Sequence, residues 1–167
     1  MRAGLPVDPR PAARVPGRVA SVGLAASWAP FDRVGLDGMA DGYRALWDLA
    51  RSDFDAFADA LHDALEQAGD AYALLHGGAS ENDRAILEAP ETAAAYRESM
   101  ATALAQGMSG LLDDARAVID AWPFDIADVA CPVYLHHGDA DGNAPVGMGR
   151  WLAAALPAAT LTEWPGA

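Results

Sequence analysis

The sequence predicts an α/β protein, and three stretches of the chain carry that prediction. Val133 to His137 is a run of mainly apolar, aromatic and β-branched residues that enters a Gly-Asp-Ala-Asp-Gly cluster, the pattern of a short buried strand stopped by a tight polar turn. Arg18 to Ser27 is a second apolar run, interrupted only by small hydroxyl residues, as expected of a buried parallel strand. Residues 36–122 show helical periodicity and no further strand.

Local signals divide the helical stretch into several helices. Ser52, followed three residues later by Asp55, resembles a capping box and predicts a helix start there. Gly69 is expected to end that helix, and Pro90 with Glu91 predicts the start of a later one, since a proline and an early acid both suit the first turn.

The first seventeen residues predict an irregular leader. This segment contains four prolines, Pro6, Pro9, Pro11 and Pro16. Each proline fixes φ and removes a backbone donor, so we expect no regular helix and no central strand over residues 1–17.

Composition excludes several classes of function. The chain has 167 residues, of which 52% are apolar, enough for one domain of ordinary size. Its formal net charge of -13 argues against nucleic acid and anionic membrane surfaces as partners. Cys131 is the only cysteine, so no internal disulfide can form, and no apolar run approaches the roughly 18 residues of a membrane span. We therefore expect a cytoplasmic protein.

The C-terminal third carries a resemblance to a known family. The strand is followed by Gly138-x-x-Asp141-x-x-x-Pro145, a helix containing Arg150, and a last strand that ends in Trp164-Pro-Gly-Ala167. This order is similar to the C-terminal part of the α/β-hydrolases. The resemblance implies a partial α/β-hydrolase fold: three adjacent parallel strands with a helical cap inserted between the first strand and the second.

The resemblance also implies a domain organisation. Residues 18–34 would supply a strand and loop of the hydrolase core, and residues 35–108 the helical cap. Residues 109–167 would return to the core with a crossover helix, the acid-bearing strand, another helix and the last strand.

Asp141 is the candidate catalytic residue, because the family places the acid of a Ser-His-Asp triad in Gly138-x-x-Asp141. The alternative is that Asp141 only forms a turn, by capping the next helix or bonding its own backbone. We expect Asp139 to be an exposed turn residue. A calcium loop at this turn is excluded, because Ala144 and Arg150 stand where an EF-hand needs Gly and Glu. His136 and His137 point to opposite faces of a strand, so a core or rim position is expected for each.

Aromatic residues and a methionine of the loop and cap could line a substrate pocket, although an apolar stripe at helical spacing is more commonly helix packing. The candidate substrate-binding residues are Trp28, Trp47, Phe54, Phe57 and Met100. The resemblance implies no cofactor and no metal.

Two of the three triad residues have no candidate in this chain. No serine lies in a Gly-x-Ser-x-Gly elbow, and the chain stops at Ala167, where the family pattern continues to its histidine. We therefore expect a fragment of a serine-type hydrolase of ester, amide or related bonds that carries the triad acid only and is inactive alone. Its small-molecule substrate would bind to the full-length enzyme.

Two other hypotheses remain open at this point. One is a non-catalytic helical module that binds a partner or a small apolar ligand, and the other is an acidic domain with a metal at the Asp-rich turn. In the hydrolase interpretation, the first strand would also lack its neighbour on one side. An unpaired apolar strand edge predicts self-association.

Overall fold

The computed structural model describes residues 10–14, 16–79 and 81–167, and these form two compact units. The sheet unit contains the described residues up to 48 together with residues 117–167, and the helical unit runs from 49 to 116. The helical unit overlaps the stretch predicted as a cap, residues 35–108, and is offset toward the C-terminus at both ends. Its assignment as a cap stays a prediction.

Three parallel strands form the sheet: β1 (Val22–Ala25), β2 (Val133–Gly138) and β3 (Ala159–Trp164). Their order is β1-β2-β3, so β2 is central. Val133 lies opposite Val22 on one side and Ala159 on the other. This arrangement confirms the predicted α/β class with three adjacent parallel strands.

The first strand is shorter than the predicted stretch from Arg18 to Ser27. A 3-10 turn occupies Pro16–Arg18, and β1 begins only at Val22. The strand ends where Ala26 adopts a φ of 48°, in the left-handed region that residues with a Cβ rarely enter. The backbone N–H of Ala26 still donates to the carbonyl of His136, so the pairing with β2 continues to this point.

One face of the sheet forms the core of the sheet unit. Alternate residues of β1 and β2 are buried there, as the period of two in a strand requires: Val22, Leu24, Val133, Leu135 and His137. A helix near the C-terminus, residues 146–155, packs against β2 and β3.

The other face of the sheet presents large side chains to solvent. Tyr134 is 50% exposed and Trp164 is 52% exposed. The ring of His136 stacks on Trp164 with a centroid separation of 6.3 Å. Gly23 and Ala25 lie beside them on β1 and are also exposed.

The described residues contain nine α-helices, of which five belong mainly or wholly to the helical unit. Their bounds are α1 (Arg10–Arg14), α2 (Phe31–Val34), α3 (Asp41–Ser52), α4 (Phe54–Ala68), α5 (Ala71–Gly78), α6 (Glu81–Leu87), α7 (Pro90–Ala103), α8 (Ser109–Ile119) and α9 (Val146–Ala155). A second 3-10 turn, Ile126–Asp128, precedes β2.

The start of α4 corrects the capping box predicted at Ser52. Asp53 is extended, and its carboxylate accepts a hydrogen bond from the backbone N–H of Ala56 at 3.0 Å, so Asp53 is the N-cap. Ser52 is the last residue of α3, and its hydroxyl donates to the carbonyl of Leu49. The predicted end at Gly69 is confirmed, since Gly69 has a φ of 84° directly after α4.

Within the helical unit, α5 packs against α4 and α7, and α6 packs against α7. Phe57 is buried in α4, and its ring lies 5.3 Å from that of Phe54. The guanidinium of Arg116 covers the ring of Phe54, with its central carbon 3.8 Å from the ring centroid. The aromatic pair therefore lies within α4, and the cation–π contact joins α4 to α8.

The leader needs one correction. Residues 1–9 and 15 of the predicted irregular segment lie outside the described residues. Arg10–Arg14 form a short helix, contrary to the expectation that no regular helix occurs there. The reason is that Pro11 lies in the first turn, where the backbone N–H that a proline lacks has no intrahelical acceptor. Among the described residues, no helix combines the length and the apolar character that a membrane span needs.

We predict that Gly149→Ala will destabilise the chain and that Gly147→Ala, in the same helix, will not. A Cβ at position 149 would lie 2.6 Å from Nδ1 of the buried His137 ring, whereas a Cβ at 147 meets nothing within 4 Å. Overpacking of this kind costs about 1–3 kcal/mol. Replacing Gly by Ala in an open helical position stabilises by up to about 1 kcal/mol. Urea unfolding of the two variants measures the difference, and equal midpoints would contradict the prediction.

Candidate active site

The turn after β2 lies at the carboxyl end of the central strand, the edge where open parallel sheets bind ligands. The strand ends at Gly138, and Asp139 and Asp141 follow directly. Asp139 is exposed, as predicted, whereas Asp141 is partly buried. The two carboxylates therefore occupy different environments within one turn.

One carboxylate oxygen of Asp141 is fixed by the backbone of its own turn. Oδ1 accepts hydrogen bonds from the N–H groups of Asn143 and Ala144, both at 2.8 Å. Asp141 does not cap α9, which begins at Val146 after Pro145. Within the described part of the chain, the Asp141 carboxylate accepts hydrogen bonds only at Oδ1. Its other oxygen, Oδ2, has no hydrogen-bond partner there.

Asp139 holds the segment that follows β3. Its Oδ1 accepts the backbone N–H of Gly166 at 2.7 Å, and its own N–H donates to the carbonyl of Trp164 at 3.2 Å. The N–H of Ala140 donates to the carbonyl of Ala167 at 2.9 Å. The sequence indicated only a turn residue at 139, but this side chain links the ends of two neighbouring strands.

Gly138 is required by the same crossing. A Cβ at this position would collide with the backbone of Ala167, so only glycine lets the segment after β3 pass over the end of β2. The Gly of Gly138-x-x-Asp141 thus has a steric explanation in this structure.

His137 connects the strand, the turn and the helix. Its side chain is only 2% exposed, and its Nε2 donates to the carbonyl of Ala144. Because a carbonyl can only accept, Nε2 carries the proton, and the other ring nitrogen faces Gly149 of α9. His136 is exposed. A core or rim position was expected for each histidine, and the structure places His137 in the core and His136 at the surface.

The carboxyl end of β1 contributes an aromatic cluster. The ring of Trp28 lies 4.9 Å from Trp47 and 6.2 Å from Phe31, and Phe31 lies 5.4 Å from Trp47, all edge to face. The indole N–H of Trp28 donates to the carbonyl of Asn143 at 3.3 Å. The aromatic cluster of Trp28, Phe31 and Trp47 is therefore bonded to the turn that holds Asp141.

Ser27 lies just after β1 and was not singled out by the sequence. It follows the left-handed Ala26 and is only 3% exposed. Its hydroxyl is buried without a hydrogen-bond partner among the described residues. An unpaired buried hydroxyl is costly, and such groups occur at functional sites, although nothing in the sequence distinguishes Ser27 from other serines that end a strand.

The predicted substrate-binding residues fall into two groups. Trp28 and Trp47 are in contact in the sheet unit. Phe54 and Phe57 are in contact in the helical unit, which also contains Met100 on α7. Their role in binding stays a prediction.

An ion pair supports the helix behind the turn. Arg150 of α9 donates to both carboxylate oxygens of Glu163 on β3, at 2.7 and 2.6 Å. The hydrogen bond from Arg150 lowers the pKa of Glu163 below its usual range, and the same contact raises the pKa of Arg150.

Within the part of the chain that the structure describes, no three His, Cys, Asp or Glu side chains come together as a metal site requires. The metal hypothesis at the Asp-rich turn gains no support.

Sequence comparison gives one curated relative. Over 157 residues the chain is 31% identical to the pimeloyl-[acyl-carrier protein] methyl ester esterase of Chromobacterium violaceum, and the match covers 93% of this chain and 56% of the esterase. The chain thus spans about half the length of the curated relative that it matches. No family model matches the sequence.

Two solved structures are similar to this chain. Rv0554 from Mycobacterium tuberculosis has 16% identity and a TM-score of 0.49, with 93% of this chain and 51% of that chain covered. A bromoperoxidase from Bacillus anthracis has 21% identity and a TM-score of 0.47, with 89% and 51% covered.

The parallel sheet, the Gly138-x-x-Asp141 turn at the carboxyl end of its central strand, and the similarity to the esterase agree with one another. The chain resembles the C-terminal part of the α/β-hydrolases.

Proposed function

We propose that this chain is the C-terminal part of a serine hydrolase that cleaves carboxylic esters, and that Asp141 is its triad acid. The observation that carries the proposal is the asymmetry of the Asp141 carboxylate. Two backbone N–H groups hold Oδ1, and Oδ2 has no bonding partner in the described residues. A triad acid needs this combination, because it must be fixed in position and still accept the N–H of an imidazole.

The chemistry would follow the family scheme in the longer protein. The imidazole takes the proton of a serine hydroxyl as the serine oxygen bonds to the ester carbonyl carbon. It then gives that proton to the alcohol oxygen as the ester carbon–oxygen bond breaks and the alcohol departs. Water hydrolyses the acyl-enzyme that remains. Asp141 would hold the imidazole in the correct tautomer and stabilise its positive charge.

The segment after β3 supports the position of the histidine. Asp139 and Ala140 bind Gly166 and Ala167, and Gly138 leaves room for the crossing. A residue that followed Ala167 would therefore start from a backbone bonded to Ala140, the residue directly before Asp141.

The exposed face of the sheet supports the view that further chain covers it. Parallel sheets are normally covered on both faces. Here Tyr134 and Trp164 are half exposed on one face. We propose that the rest of the hydrolase packs on this face in the longer protein.

The substrate class rests on the relative and on the aromatic cluster. The relative's name describes an esterase of a methyl ester, which favours carboxylic esters over amides for this chain. The aromatic cluster is bonded to the acid turn through Trp28 and Asn143, so we propose that Trp28 and Trp47 form an apolar wall for the acyl group.

We predict that the chain alone does not react with a serine-directed phosphonate and does not hydrolyse activated esters faster than buffer. The reason is that no serine of the sequence lies in a Gly-x-Ser-x-Gly elbow. Intact-mass measurement after incubation with the phosphonate tests this expectation. Stoichiometric labelling of any serine would contradict it.

We predict that Asp141→Asn abolishes the activity of the longer protein and that Asp139→Asn does not. The experiment begins by reading the genomic DNA on both sides of the coding stretch to find the longer reading frame. We expect that frame to contain a Gly-x-Ser-x-Gly upstream and a histidine soon after Ala167. Replacing a triad Asp by Asn costs on the order of ten-thousand-fold in kcat. Asp139→Asn keeps an oxygen that can accept from the N–H of Gly166 and removes only the charge, so it costs at most the value of one exposed hydrogen bond, roughly 1 kcal/mol.

The measurement is the ratio of kcat values for the two variants on an activated ester, with circular dichroism as the control for folding. A larger loss at Asp139 would show that the acid has been assigned to the wrong residue. Flanking DNA without either the serine elbow or the histidine would refute the hydrolase proposal and favour a helical interaction module.

We also propose that the chain alone self-associates through β1. Within the described residues, β1 pairs only with β2, and its other edge carries unpaired backbone groups beside small, exposed residues. We predict that the sedimentation coefficient rises with protein concentration over the micromolar range. A stable monomer with protected amides at Val22 to Ala25 would be inconsistent with this proposal.

A further inference from the structure

The helical unit contains a cleft that the hydrolase proposal does not use. It is an open surface cleft with a volume of about 450 Å³. The lining residues come from α5, from α7 and from the turn between α6 and α7. They are Tyr72, Ala73, His76, Glu88, Ala93 and Arg97.

The positively charged group of the cleft, the guanidinium of Arg97, is positioned by an aromatic ring and not by a carboxylate. The central guanidinium carbon of Arg97 lies 3.9 Å from the centroid of the Tyr72 ring. The ring itself is fixed, since Tyr72 is buried and its hydroxyl donates to the carbonyl of Leu87 at 2.9 Å. This cation–π contact uses no N–H donor of Arg97, and among the described residues no carboxylate pairs with it.

The acid of the cleft is engaged elsewhere. Glu88 Oε1 lies 3.0 Å from Nε2 of His76, and the carboxylate accepts from that nitrogen. In a chain with 24 acidic and 11 basic residues, an arginine at a cleft would readily find an acid. Here the imidazole of His76 bonds the carboxylate of the cleft, and the N–H donors of Arg97 remain available to a ligand.

We propose that this cleft binds a small organic carboxylate, with its carboxylate on Arg97 and its apolar part against Tyr72, Ala73 and Ala93. The guanidinium fork matches a planar carboxylate in a two-point contact. Tyr72 and Ala93 are buried, and they form apolar walls beside the charge. A dianionic phosphate is less suited, because Glu88 and the net charge of -13 both oppose it.

The test is calorimetric titration of the full chain with benzoate, with ligand-detected NMR as a second readout that tolerates self-association. A ligand of this size is expected to bind with a Kd on the order of 1 mM. Benzyl alcohol, which has the ring without the charge, and inorganic phosphate are both expected to bind at least about tenfold more weakly.

Three substitutions separate the roles of the cleft residues. Arg97→Gln is expected to weaken benzoate binding by about tenfold or more, because the charge and the fork are lost. Glu88→Gln is expected to tighten it severalfold, because a negative charge leaves the cleft. Arg116→Gln is the matched control, since Arg116 also stacks on an aromatic ring in this unit but lies outside the cleft, and it should bind benzoate like the unmodified chain.

Several results would overturn the proposal. They are benzoate binding that Arg97→Gln leaves unchanged, weaker binding in Glu88→Gln, phosphate binding as tight as that of benzoate, or no benzoate binding at all. If Arg97→Gln fails to fold, Glu88→Gln and Arg97→Lys decide the question, since the lysine variant keeps the charge and should lose only the two-point contact. The cleft test uses no ester hydrolysis, so its result is independent of the hydrolase proposal.

Discussion

A buried imidazole fixes the geometry of the acid turn. Burying the polar side chain of His137 would be unfavourable unless its N–H found an acceptor, and the carbonyl of Ala144 provides one. This bond closes the turn over the end of β2. Gly149 then lets α9 approach the other side of the ring, so that strand, turn and helix share one contact. The placement of Asp141 depends on this arrangement, because the same Ala144 donates its N–H to Oδ1.

Much of the sheet unit could be predicted because its signals are local. The alternation in β2, the polar turn after it and the Pro before α9 all lie within a few residues of each other. The prediction that three parallel strands lie side by side followed from the resemblance to the α/β-hydrolases. The contacts that fix the site could not be predicted, because each joins residues from separate elements. Gly149 of α9 lies against His137 of β2, and Asp139 bonds Gly166. A glycine inside a helix was the one available signal for the first of them.

The helical unit illustrates where local patterns are ambiguous. Ser52 and Asp53 are both good N-cap residues, and the extended backbone at Asp53 decided between them. The cleft could not be found from the sequence at all. Its aromatic ring comes from α5, its cation from α7 and its paired acid from the turn before α7. The periodicity of each helix indicates only that the helix has a buried side.

The crossing of the segment after β3 over Gly138 has an evolutionary consequence. Three positions in two separate parts of the chain share one steric and hydrogen-bonding constraint: the absent Cβ at 138, the carboxylate at 139 and the backbone N–H at 166. A change at one of them alters what the others can tolerate, so their effects would not be independent. In descendants of this sequence, drift at these positions would therefore have to be concerted. A side chain at 138 would become acceptable only in a lineage in which the segment after β3 had already moved away from the end of β2.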